Sequence, residues 1–156
     1  MQDKAQDYAG YIAPPPLLYA GALLLGLLLH LAFPVKFLPR KVSRRLGWLM
    51  IGTSFLFGPP AFRLMRRAGT SVRPDEPTTA LVVEGPFLFT RNPIYLSLTL
   101  LYAGIATLFN ALWAMLLLPV LLFIVNRGVI DREERYLERK FGDEYLRYKM
   151  RIPRWF

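Results

Sequence analysis

A chain of 156 residues is sized for one domain, and 54% of it is hydrophobic, more than a soluble domain of that length can bury, so part of this surface must face lipid. The net charge of +9 lies between apolar blocks, which points to anionic lipid headgroups rather than to nucleic acid. The absence of cysteine excludes disulfides, thiolate metal centres and a thiol nucleophile; with His30 as the single histidine, neither a metal site nor a Ser-His-Asp triad is expected.

The N-terminal stretch MQDKAQDYAGYIAPPP is acidic and proline-bearing, unlike a signal peptide, so the first apolar run is expected to stay in the mature protein. That run is Leu17–Phe33, set between three prolines and Pro34. The second, Leu46–Met65, carries Gly58-Pro59-Pro60, a sequence that predicts a break. The third and fourth are Pro93–Phe109 and Ala111–Asn126, the latter with a kink expected at Pro119. Each approaches the roughly 20 residues that cross a bilayer core. Only Asn110 separates the last two, which predicts a tight antiparallel hairpin. Asp131–Lys140 (DREERYLERK) then reads as a charged helix ended by Gly142, followed by a short helix capped by Asp143 and closed by Pro153. Trp155 and Phe156 suit an interfacial anchor. The expected fold is all-α and polytopic. It is one domain over 1–156, with two membrane helices in 1–69 and the chemistry in 70–156.

If all four runs span, both termini share a side with the 63–92 loop. That side holds fifteen basic residues: Lys4, five arginines of the loop, and nine Lys/Arg from Arg127 onward. Lys36, Arg40, Lys41, Arg44 and Arg45 lie opposite. The bias predicts a multi-pass protein of the cell inner membrane with cytoplasmic termini. The five opposing cations fit either an interfacial position or a re-entrant second run.

Arg91-Asn92-Pro93 has a plain reading: Asn92 caps a helix that Pro93 begins, and Arg91 snorkels to headgroups. The functional reading is that the helix start offers amides and positive potential to a polar ligand, with Tyr95 on the same face. Glu133-Glu134 reads as a solvated helix face with internal ion pairs, or as a carboxylate just outside the membrane for an ammonium group. Neighbours on a helix point about 100° apart, so one of the two is expected to face a pocket. Leu81–Phe87 (LVVEGPF) turns at Gly85-Pro86; its backbone suits a flat ring or an ordinary corner, and Glu84 suits a surface pair with Arg91. His30, near the far end of the first run, invites a functional reading as a membrane histidine, and its interfacial position favours a headgroup contact.

Taken in order, TTALVVEGPFLFTRNPIY and DREERYLERKFGDEYLRYKMRIP resemble the isoprenylcysteine carboxyl methyltransferase family, small integral membrane enzymes that use S-adenosylmethionine. The resemblance covers about Thr70 to Pro153. It implies that Thr79, Ala80, Leu81, Val82, Phe87, Asn92, Pro93, Ile94, Tyr95 and Glu133 contact the cofactor. Phe87 stands where the family has tyrosine, and Asn92 where its eukaryotic members have histidine. Those members carry a substrate-binding arginine at the position of Val129. Arg127 and Arg132 are nearby on other helical faces.

No G-x-G-x-x-G and no strand–helix alternation are present, which excludes a Rossmann site for this cofactor. The resemblance implies methyl transfer to a lipid-like or prenylated acceptor entering from the bilayer. A carboxylate acceptor needs no general base, and none is obvious here. Glu133 would hold the cofactor ammonium, Asn92 and Tyr95 would wall the pocket, and Arg127 would meet an acidic acceptor. The rivals are a phospholipid N-methyltransferase, a nicotinamide-dependent membrane reductase, and a non-catalytic membrane protein whose polar groups are all caps and anchors.

Overall fold

The computed structural model describes residues 8–10 and 12–155. Lys4 and Phe156, which entered the charge count and the anchor expectation, lie outside the described residues. Among these the chain is all-helical, without strands: α1 Pro15–Ala32, α2 Arg40–Arg67, α3 Pro93–Leu108, α4 Leu112–Val125, α5 Asp131–Phe141 and α6 Asp143–Arg151, with a short 3₁₀ turn at Gly85–Leu88.

Small residues set the packing. A Cβ on Gly47 would lie 2.9 Å from the Gly104 carbonyl oxygen, and one on Gly26 would run into the Ala114 backbone. Bare backbone at these crossings lets α2 approach α3 and α1 approach α4 closely, as helices in lipid commonly do. Ser43 donates to the Thr107 carbonyl and Ser97 to the Ser54 carbonyl, so α2 and α3 run antiparallel. Tyr102 donates to Ala114 at 2.8 Å across the α3–α4 hairpin. Asn110 takes a left-handed φ of 56° there, and its side-chain oxygen accepts the amides of Phe37 and Leu38 at 3.0 Å each. The hairpin is therefore tied to the start of α2.

The expected break in α2 does not occur: the helix passes through Pro59 and Pro60. The prolines remove two helical donors, but α3 supports this stretch, with Gly58 against Ser97 and Ser97 bonded to Ser54. The fourth apolar run does not end at Asn126 either. A π-helical segment, Asn126–Ile130, joins α4 to α5 in one helical rod. An extra residue per turn swings the following face by about 100°. Val129 and Ile130 are thereby fully buried.

Two helices, Pro15–Ala32 and Leu112–Phe141, are long and apolar enough to cross a membrane, and α3 is a shorter apolar helix. Leu24, Leu28 and Leu31 on α1, Trp48, Leu49 and Leu56 on α2, and Leu116 and Phe123 on α4 are more than half exposed. An apolar belt of this extent belongs to a membrane-associated chain. The charged tail returns to the bundle: Gly142, with φ 53°, separates α5 from α6. Asp143 is the first residue of α6 and makes no capping bond. Trp155 is half-buried against the core and donates to the Asn126 side chain at 3.3 Å.

Candidate functional site

At the end of the bundle away from the hairpin, a cavity of about 470 Å³ opens between the starts of α1 and α3, the end of α2, and α5. That volume lies in the usual range for small-molecule sites. Of the residues singled out from sequence, Ala80, Leu81, Val82, Phe87, Asn92, Pro93, Ile94, Tyr95 and Glu133 line it. They come from three separate stretches of chain.

Thr79 does not line it. Its amide donates to the Thr70 hydroxyl at 3.0 Å and its own hydroxyl to the Gly69 carbonyl at 2.8 Å, so it fixes the loop that carries Ala80 and Leu81. Arg127 does not line it either; its side chain is 74% exposed, 3.6 Å from Asp131. Val129, where the resemblance places an acceptor arginine, is a fully buried core residue.

The polar end of the cavity is built on one contact. Tyr95, in the first turn of α3, donates its hydroxyl to a Glu133 carboxylate oxygen at 2.9 Å. Tyr95 is itself held by α1, where Tyr19 bonds the Thr99 hydroxyl at 2.8 Å and reaches the Tyr95 carbonyl at 3.5 Å. The protein packed around Glu133 pushes its carboxyl above the ordinary range. The Tyr95 hydrogen bond opposes that rise, and neighbouring Glu134 adds to it. A half-buried carboxylate in such surroundings calls for a cationic partner.

Both glutamates reach the cavity, where one was expected. Their tasks differ. Glu134 is buried and sits 3.1 Å from Arg91 and 2.7 Å from Arg154, with Lys149 at 3.6 Å. Arg91 therefore does not snorkel, and its partner is Glu134 rather than the exposed Glu84. Asn92 occupies the cap position of α3 without making a capping bond; its amide donates to the Arg154 carbonyl at 3.1 Å. Thr90 donates to the same carbonyl at 2.8 Å, and the Arg91 amide donates to Pro153 at 3.0 Å. The corner is thus clasped by the segment after α6.

Sequence reasoning missed the contributions of the first half: Pro15 and Pro16 at the start of α1, and Phe62 and Met65 on α2. Tyr145 and Tyr148 of α6 also line the cavity, and their three-residue spacing was the available sign. Tyr148 donates to the Phe87 carbonyl at 2.8 Å, holding the 3₁₀ turn. The result is a largely apolar chamber whose charged lining comprises Glu133, Glu134 and Asp75 with Arg73 and Arg91. Glu133, bonded to Tyr95, offers its carboxylate to the cationic side of a molecule that is flat and apolar at the other.

Residues 42–144 match the phospholipid methyltransferase family. An uncharacterised protein of Haemophilus influenzae (strain ATCC 51907 / DSM 11121 / KW20 / Rd) is 49% identical over 63 residues, which are 40% of this chain and 98% of that one. No solved structure matches significantly.

Proposed function

The chain belongs to the phospholipid methyltransferase family, and we propose that it is a multi-pass membrane enzyme of the isoprenylcysteine carboxyl methyltransferase type. It would use S-adenosylmethionine to methylate a lipid-like or prenylated carboxylate. The observation that carries this reading is the Glu133 carboxylate, held by Tyr95 at the polar end of an apolar chamber.

The residues present fit the cofactor. Glu133 would hold its ammonium group, and Leu81, Val82, Phe87 and Ile94 offer apolar walls for its flat ring. The cofactor supplies a methyl group already activated on a sulfonium. The chain's contribution is then placement, which is worth about 7–11 kcal/mol of barrier in favourable cases. A carboxylate acceptor arrives ionised and asks for no base, in keeping with a lining that has no histidine. Phe62, Met65 and Leu98 give the acceptor's apolar part a surface continuous with the membrane-facing helices. In this reading α1 to α4 all span, and the fifteen-to-five bias in basic residues puts the termini and the cavity in the cytoplasm.

Family membership also supports a second reading, methylation of a phosphatidylethanolamine amine. The test has two stages. Titration of S-adenosylmethionine into detergent-solubilised protein should saturate, and Glu133→Ala and Asn92→Ala should both weaken it. Labelled methyl is then followed into lipid extracts. Label released by mild alkali as volatile methanol is a methyl ester and supports the carboxylate acceptor; label that stays non-volatile, on the methylated ethanolamine headgroup, supports the amine. A folded protein that binds no S-adenosylmethionine would overturn both and favour a nicotinamide-dependent or non-catalytic role.

A further inference from the structure

The end of the bundle opposite the cavity carries Lys36, Arg40, Lys41, Arg44 and Arg45 within ten positions, and all five are exposed. Among the described residues no carboxylate pairs with them. The sequence contains no aspartate or glutamate from residue 8 to residue 74, nor in the hairpin stretch ATLFNALW at the same end. None of the five makes an ion pair among the described residues, as the salt bridges of this chain involve other cations.

Their arrangement adds to the imbalance. Arg40 and Arg44, and Lys41 and Arg45, stand four apart on α2, so each pair is a like-charge pair on one helix face. Ser43, between them, is buried and bonded to the Thr107 carbonyl, which fixes the register and leaves the cations on the outer faces. The first turn of α2 contains no acidic residue to offset its positive pole. Among the described residues nothing offsets this repulsion.

The surroundings of the patch identify its counter-charge. Phe33, Trp48 and Phe109 are each more than 60% exposed beside it, and the apolar belt of α1 and α2 continues from them. Aromatic residues of this kind sit at the headgroup level of a bilayer. We propose that the five cations form a binding rim for anionic phospholipid headgroups, which cap the hairpin end of the bundle. The phosphodiester meets the lysines and arginines, while the acyl chains lie along the exposed aromatic and aliphatic side chains. A soluble phosphate would meet only half of this surface. The inference needs the chain to lie in a membrane and does not depend on which acceptor is methylated.

The test uses the full chain in neutral detergent, with phosphatidylglycerol, phosphatidylcholine and free glycerol phosphate as probes. Binding is read by native mass spectrometry and by the rise in melting temperature. Phosphatidylglycerol should be retained in preference to phosphatidylcholine, and glycerol phosphate should give no shift. Each cation near an anionic surface is worth about a fivefold change in affinity. The combined variant Lys36→Gln, Arg40→Gln, Lys41→Gln, Arg44→Gln, Arg45→Gln should therefore lose at least about tenfold. Arg40→Lys, Arg44→Lys, Arg45→Lys keeps the charges and should bind as the wild type does. Arg132→Gln, Arg135→Gln, Arg139→Gln, at the other end, should leave the shift unchanged. Helical circular dichroism in neutral detergent checks that each variant is folded. Equal retention of both lipids by the wild type, equal loss from both ends, or a response to glycerol phosphate alone would overturn the proposal, as would preferential capture of nucleic acid.

Discussion

Tyr95 and Glu133 offer the sharpest test of the site, because one acts through the other. The hydroxyl lies 2.9 Å from the carboxylate and approaches it from a different helix. If Glu133 holds the cofactor ammonium, Glu133→Gln replaces an ion pair by a neutral contact. Hydrogen bonds to charged groups contribute about 1.5–3 kcal/mol, so affinity for S-adenosylmethionine should fall about 10- to 150-fold. Tyr95→Phe leaves the carboxylate in place but frees it to rotate; a loss of about 1 kcal/mol predicts weakening of about fivefold. The two effects should not add. Once the charge is gone, the hydroxyl has little left to orient, and the double variant should bind within about twofold of Glu133→Gln alone. Isothermal titration of the four proteins reads the cycle directly. Additive losses would mean that Tyr95 contacts the ligand independently, and an unchanged affinity in Glu133→Gln would refute the ammonium site.

Other outcomes follow from the same geometry. Burial raises the Glu133 carboxyl in the folded protein, so the folded state holds its proton to higher pH than the unfolded chain does. Without cofactor, stability should therefore fall as pH rises from the ordinary carboxylate range through the folded value; melting curves of Glu133→Gln should lack that slope and show a more stable protein at pH 7. Glu134→Ala strands Arg91, whose side chain is only 9% exposed, and should cost about 3 kcal/mol in denaturant unfolding. A cost below about 1 kcal/mol would mean that water replaces the carboxylate. Gly47→Ala drives a methyl group into the backbone of α3 and should destabilise by about 1–3 kcal/mol, whereas Gly52→Ala, which has nothing within 4 Å, should not.

The parts of the fold legible from sequence were those governed by local pattern. Apolar length announced the helices, Asn110 announced the hairpin, and Gly142 announced the end of α5. The features that were not legible depend on what lies across from a residue. Pro59 and Pro60 read as a break because the α3 support beside them, Ser97 against Gly58 and bonded to Ser54, is about forty positions away. Asn126 read as the end of a span because nothing in NRGVI distinguishes a π-helical passage from a terminus. In the site, the motif residues converge largely as their order suggested, yet their bonds differ from the local reading. Asn92 stands at a cap position and bonds to Arg154 instead, and Arg91 is buried because Glu134 faces it. The cavity's first-half wall, from Pro15 to Met65, carries no motif at all. It consists of apolar side chains whose spacing suits any membrane helix.

The fusion of α4 and α5 has a mechanical meaning. From Leu112 to Glu133 the rod rises about 32 Å at about 1.5 Å per residue, close to the roughly 30 Å of a bilayer's hydrocarbon core. If the rod spans as proposed and the cationic rim holds its hairpin end among headgroups, it would work as a gauge that sets Glu133 at the opposite water boundary. A thicker bilayer would draw that carboxylate into hydrocarbon unless the helix straightened, and a thinner one would lift the chamber clear of any acceptor lying in the leaflet. Turnover should accordingly peak in vesicles of one acyl-chain length and decline on both sides of it, which makes membrane thickness itself a control on the reaction.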